Sequence, residues 1–226
     1  MTSAIPDRPD AGSAVLGRDI VFDDALRQAI ETNLLAFDVI PSTDTTLKRA
    51  AVTVCIVANE GGMASVLLTF RPPSLNRHAS QYALPGGRLD DGETDVDAAL
   101  RELREELNLS PGPDSLLGRL DTFQTDSGYC ITPFVSWVED ATLLKPSPDE
   151  VAQVFPIPFS ELLSPDIPHI AADPVSGDLV FSAPLRTVGH HVFAPTAAIL
   201  YQFREVAILG RSTRVAGAGQ PDFARR

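Results

Sequence analysis

The stretch PGGRLDDGETDVDAALRELREELNL, Pro85 to Leu109, decides how the rest of the chain is read. Its second half carries Val96, Ala99, Leu100, Leu103 and Leu107 at the 3.6-residue spacing of an amphipathic helix. Thr94 has the N-cap residue type, with Asp97 three positions on in a near capping box. Asn108, a residue that tolerates left-handed geometry, ends the helix. One turn of it is anomalous. Glu102, Glu105 and Glu106 crowd together there, and like charges at such spacings destabilise a helix by about 0.2–0.5 kcal/mol per pair. On a wheel of about 100° per residue with Glu102 at zero, Glu105 falls at about 300° and Glu106 at about 40°, while Leu103, Val96 and Leu100 fall between about 100° and 160°. The spacing predicts a stripe of carboxylates separate from the apolar stripe. Such an arc of hard oxygens suits Mg2+ or Mn2+; the plainer alternative is a solvated acidic face.

The flanking segments supply a mixed set of elements. Ala50 to Ala58 (AAVTVCIVA) is a continuous β-branched run and predicts a buried strand. Gly61 and Gly62 turn the chain into a second strand, Ala64 to Phe70, giving a hairpin. Arg71 to Gln81 is polar and loop-like. After the helix come strand-like runs at Leu117–Thr125, Cys130–Val138 and Val151–Ile157, then a helical turn at Phe159–Leu163. Phe22–Phe37 and Phe193–Leu209 predict one helix near each end, the later one with Pro195 near its start. Strands on both sides of an amphipathic helix, closed by another, predict an α/β sandwich. Trp137 and Phe134 are expected in its core. Residues 1–18 are expected to form a loose tail, 19–47 a helical extension, 48–209 the folded domain and 210–226 a second tail or an arm on a partner subunit.

Composition narrows the function. The 226 residues carry a formal net charge of -12, which disfavours binding to nucleic-acid backbones and to anionic membrane surfaces. No apolar run approaches the roughly 20 residues of a membrane-spanning helix, and the N-terminus lacks the pattern of a signal peptide. The two cysteines, Cys55 and Cys130, sit in strand-like runs without metal or redox spacing and read as buried thiols. A reducing, cytoplasmic setting is the expectation.

The fixed positions within Pro85–Leu109 are Gly87, then Glu93 after five residues, then Arg101-Glu102-Leu103-x-Glu105-Glu106-x-Asn108-Leu109 after seven more. This pattern resembles the Nudix box, the signature of the Nudix hydrolases; one position departs, Asn108 standing where the family has Gly. The resemblance implies a Nudix-type α/β/α sandwich with a mixed β-sheet. It also implies hydrolysis of a nucleoside diphosphate linked to another group, with divalent cations holding the diphosphate. By the same resemblance Glu102, Glu105 and Glu106 are metal ligands, the carbonyl of Gly87 is a further one, and Arg101 and Glu93 pair to steady the loop and helix. The general base lies outside the box; Glu150 is the first candidate and Glu139 the second.

Upstream, VLLTFRPPSLNRHASQYALPGG (Val66–Gly87) looks like the leader of the coenzyme A pyrophosphatase branch. Pro72, Asn76, Ser80 and Leu84 depart from that leader, standing for Ser, Arg, Gly and Phe. Arg71 is the first residue expected on substrate phosphate, with Arg77, His78 and Gln81 beside it. His190 and His191 are expected to be structural. The branch resemblance implies coenzyme A or its thioesters as substrate. ADP-ribose, NADH or a nucleoside triphosphate stay open, as does a nucleotide-sensing module without activity. A homodimer is the assembly the resemblance allows.

Overall fold

The computed structural model describes residues 20–73, 80–172, 177–216 and 218–220. Its centre is β1 (Lys48–Ala58), the β-branched run seen in the sequence, which is hydrogen-bonded on both sides. The hairpin partner β2 (Ala64–Phe70) runs antiparallel to it, and β7 (Tyr129–Trp137) runs parallel, so the sheet is mixed. β3 (Tyr82–Ala83) and β8 (Gln153–Pro158) pair with β2, and β4 (Gly86–Arg88) pairs with β1. β5 (Leu116–Arg119) and β6 (Phe123–Gln124) pair with β7. The run expected as one strand at Leu117–Thr125 is thus two short ones. Leu120 to Thr122 separate them; Leu120 N–H still donates to Pro133 C=O of β7, and the Asp121 carboxylate accepts from Ile40 N–H, Gln202 and Arg214.

Alternation along β1 divides the layers. Ala51, Cys55 and Val57 point to one face, where they meet Ala98, Ala99, Leu103 and Leu107 of helix α2 (Asp95–Leu107). Ala50, Val54 and Ile56 point to the other face, into the main core. There they join Ile30 and Leu34 of α1 (Asp24–Ala36), and Ala197, Ala198 and Phe203 of α4 (Thr196–Phe203). This is the α/β/α sandwich. Period-2 burial on both faces makes register strongly specified, because a one-residue slip would exchange the two rows. Cys55 is buried under α2 and Cys130 is buried on β7; both are free thiols. Trp137 and Phe134 are buried, and Phe22 stacks on Trp137 with centroids 3.9 Å apart.

The second half departs from the sequence reading. Phe193–Leu209 is not one helix. His190–Phe193 forms strand β11, α4 starts only at Thr196, and Arg204–Ile208 widens into a π turn. β11 belongs to a separate three-stranded antiparallel sheet with β9 (His169–Ala172) and β10 (Leu179–Leu185), which the sequence did not suggest. The short helix α3 (Phe159–Leu162) precedes it. The described part of the segment after 210 is no free tail. Arg211 pairs with Glu205, Arg214 with Asp121, Val215 and Gln220 are buried, and Gly219 C=O accepts from Phe181 N–H. The expected N-terminal tail lies outside the described residues.

Candidate active site

The site is built where β4 meets α2. Gly86 has φ +151°, and a side chain there would run into Ala51 C=O and the Val52 Cα. A side chain on Gly87 would run into the carboxylate of Glu102. The two glycines thus let the β4 backbone pass directly beneath the helix that carries the glutamates. Thr94 accepts from Asp97 N–H and donates to its carboxylate, fixing the helix start. Asn108 ends the helix in the left-handed region, φ 57° and ψ 28°, and its side chain donates to Leu143 C=O. The position where the box has Gly therefore keeps the conformation that Gly would serve.

Glu106 does not lie on a carboxylate stripe apart from the apolar one. Its side chain is 3% exposed, inside the buried stripe with Ala98, Ala99, Leu103 and Leu107, while Val96 and Leu100 are only half-buried. It faces β4, accepting from Gly86 N–H at 3.1 Å, and meets Arg71 Nη1 at 3.4 Å. Burial, then the charge on Glu102, push its carboxyl up to about 8, against the Gly86 bond and the Arg71 charge; Glu150 adds to the upward push. Glu102 is also raised, by burial first, although Arg101 opposes the shift.

Arg101 organises the rest. Its Nε donates to Glu93 at 2.8 Å and its Nη2 donates to Glu93 and to Arg88 C=O. Its Nη1 reaches Glu102 at 2.9 Å and Glu105 at 2.8 Å. The bond from Arg101 holds the Glu93 carboxyl below its usual range, and the same bond raises Arg101. The repulsion expected among the glutamates is thus offset from within the chain: Arg101 takes two of them and Arg71 the third. Glu105 is 47% exposed and held on Arg101, so it stands apart from the cleft. As the side chains stand, no three His, Cys, Asp or Glu among the described residues gather closely enough to hold an ion.

The cleft, about 620 Å³, has Arg71, Gln81, Gly87, Glu102, Glu106 and Glu150 in its lining. Glu150 joins from the turn before β8, where its N–H donates to Ser147 C=O. Arg71 Nε is buried and has no hydrogen-bond partner among the described residues. Glu139 is not near this site: it pairs with Arg27 at 2.8 Å and lines a different depression with Asn108. Arg77 and His78 lie outside the described residues. His190 packs against the Tyr82 ring and His191 Nδ1 sits 3.0 Å from Ser182 Oγ. The cleft also contains residues not singled out from the sequence, among them Tyr82, Arg88, Tyr129 and Thr196. Strand alternation with Ala50 and Val52 was the available signal for Arg88 and Tyr129, once the register of β4 and β7 on β1 is known.

A sandwich with a box helix over a glycine turn, and an arginine tying the two together, defines a Nudix-type fold. The NUDIX domain family model matches residues 47–176, more than half of the chain, and the chain belongs to that family. Among curated relatives, an uncharacterized Nudix hydrolase NudL from Photorhabdus laumondii subsp. laumondii is 37% identical over 118 residues, 52% of this chain and 62% of the relative. One from Escherichia coli O6:H1 is 38% identical over 117 residues, 51% of this chain and 60% of the relative. The chain thus spans about 60% of the length of the curated relatives it matches. A MutT/nudix family protein from Enterococcus faecalis shares 14% identity and a TM-score of 0.49, covering 82% of this chain and 75% of its own. The NUDIX domain of Shewanella oneidensis NrtR, solved with ADP ribose, shares 18% identity and a TM-score of 0.42, covering 63% and 87%. No helix among the described residues is long and apolar enough to cross a membrane.

Proposed function

We propose that the protein is a divalent-metal-dependent pyrophosphohydrolase that cleaves the diphosphate of coenzyme A or a related nucleoside-diphosphate compound. The observation that carries the reading is the convergence of Glu102, Glu106 and Glu150 with Arg71 on one cleft, where burial and neighbouring carboxylates push the Glu102 and Glu106 carboxyls up. Carboxylate and carbonyl oxygens are the hard donors that Mg2+ or Mn2+ takes, and the side chains must draw together to hold an ion. Glu102, Glu106 and the Gly87 carbonyl are the residues to hold the ion; Glu105 joins them only on leaving Arg101. When bound, the ion neutralises phosphate charge and lowers the pKa of a coordinated water.

The chain's own groups supply the rest. Arg71, with its Nε unpartnered, is placed to donate to a phosphate oxygen. Gln81 lines the same cleft, and we assign it to orient the substrate. Glu150 is the group we assign to take the proton of the attacking water, whose oxygen bonds to one phosphorus as the bridging P–O bond breaks. Arg101 and Glu93 are positioning residues, acting through Glu102 and the β4 backbone.

The coenzyme A reading has one structural support. Ser80 stands where the branch leader has Gly, and it lies at φ 57°. The turn that the glycine would serve is kept despite the substitution. The test is product analysis by mass spectrometry with Mg2+ or Mn2+ and coenzyme A, acetyl-coenzyme A, ADP-ribose, NADH and nucleoside triphosphates. Adenosine 3′,5′-bisphosphate as the main product is expected, with a loss of at least about a hundredfold in kcat for Glu150→Gln, the lower range of general-base effects. AMP from ADP-ribose or NADH with coenzyme A untouched would replace the substrate. No cleavage with either ion would overturn the enzyme reading in favour of a nucleotide-sensing module.

A further inference from the structure

The wall of the cleft built by β1, β4 and β7 has a chemistry of its own. β1 pairs Lys48 with Tyr129 on β7 and Ala50 with Arg88 on β4, so three adjacent strands bring these side chains together. The Arg88 guanidinium carbon stands 4.9 Å from the centroid of the Tyr129 ring, and the Lys48 ammonium 6.0 Å from it. Arg88 and Tyr129 line the cleft beside Thr125 and Ser127. Lys48 is one alternation step before Ala50 and Val52, which also line it. Among the described residues neither Lys48 nor Arg88 has a carboxylate within ion-pair reach; Arg104, Arg119, Lys145 and Arg186 also lack one, but Lys48 and Arg88 share one aromatic ring, and that ring lines the cleft. In a chain of net charge -12, two uncompensated cations on one tyrosine at a cleft call for an anion.

We propose that Arg88 and Lys48, held on Tyr129, form a subsite for a phosphate monoester on the ribose of the substrate's nucleoside half. The inference rests on the diphosphate reading for the glutamates of the cleft. A phosphate monoester carries about -1.5 to -2 charge near neutral pH. A guanidinium that lies against a ring keeps its N–H edges free for bidentate contact with phosphate. The Thr125 and Ser127 hydroxyls, bonded to each other at 3.0 Å, keep the same wall polar. This subsite selects ribose-phosphorylated nucleotides such as coenzyme A over ADP-ribose and NADH, which lack that phosphate.

The test is calorimetric binding to the full chain, without added metal, of adenosine 3′,5′-bisphosphate and of AMP. The bisphosphate should bind at least about tenfold more tightly, equivalent to about 1.4 kcal/mol. Arg88→Gln and Lys48→Gln should each move the ratio toward one, and higher salt should do the same because both cations are exposed. Melting curves establish that the variants fold. Equal binding of the two nucleotides by the natural chain, no binding of the bisphosphate at millimolar concentration, or a ratio that survives the double variant would overturn the subsite. Selective binding without cleavage of any diphosphate would uphold the subsite and defeat the proposed activity; cleavage with equal binding would do the reverse.

Discussion

Glu106→Gln in metal-free solution isolates the cost of one buried charge. The Glu106 carboxyl is pushed up to about 8 from 4.5, so between those pH values the folded state holds a proton that the unfolded state has released. Stability then falls as pH rises through that window. Each unit corresponds to about 1.4 kcal/mol, so near pH 7.5 the loss relative to pH 4.5 is at most about 4 kcal/mol. Water entry and small side-chain movements reduce this, and we expect about 2–3 kcal/mol. Gln cannot ionise, and its side-chain oxygen can still accept from Gly86 N–H. For a chain of this size about 1 kcal/mol moves Tm by roughly 2–4 °C. The variant should therefore melt about 5–10 °C above the natural chain at pH 7.5 in a chelator, and close to it at pH 5. Differential scanning calorimetry at several pH values reads both the gap and its pH dependence. Mg2+ or Mn2+ should stabilise the natural chain more than the variant. A variant that melts lower at pH 7.5, or a gap that does not change with pH, would refute the reasoning, because Glu106 would then act as a structural hydrogen-bond acceptor.

Glu105→Gln should behave differently. It removes one half-exposed arm of Arg101, so metal-free stability should fall slightly, by about 0.3–0.5 kcal/mol, while turnover drops; urea unfolding beside a turnover assay separates the two. Arg101→Lys keeps the charge but cannot span Glu93, Glu102, Glu105 and Arg88 C=O at once. A loss of about 1.5–3 kcal/mol in urea unfolding is expected, and less than about 0.5 would show that the guanidinium fork is dispensable. Ser80→Gly relieves a non-glycine residue at φ 57°, with an expected gain of about 1 kcal/mol, reduced by the unfolded-state freedom of glycine; a markedly lower Tm would indicate that the serine hydroxyl holds the turn.

Much of the centre of this fold was legible because local and tertiary signals agree there. β1 is β-branched and buried on both faces, and α2 has a capped start and a left-handed end at the residues the sequence marks. The pairing of Arg101 with Glu93 follows the box spacing. Glu106 was misplaced because a helical wheel carries no information about what covers an arc. β4 covers the side at about 40°, so a charge that looks solvated by angle is buried by a neighbouring strand. Phe193–Leu209 was misread because it is apolar almost throughout, and periodicity cannot locate a boundary in such a run. Pro195 sits at the N-cap, where it ends the approach from β11 rather than opening a longer helix. The small sheet β9–β11 was missed since β9 and β11 have four residues each and β10 carries Pro184. Glu139 and Glu150 are both acids next to strands, and only the tertiary fold sends Glu150 to the cleft and Glu139 to Arg27.

The segment after residue 210 has a consequence for how the protein can be handled. Gln220 is both buried and part of the cleft wall, its side chain accepts from Asp126 N–H, and the Gly219 carbonyl beside it completes the bonding of β10. Shortening the chain to residue 210 would look harmless by sequence, since what is removed is rich in Gly, Ala and Arg. It would leave Phe181 N–H without its acceptor and open one side of the cleft to water.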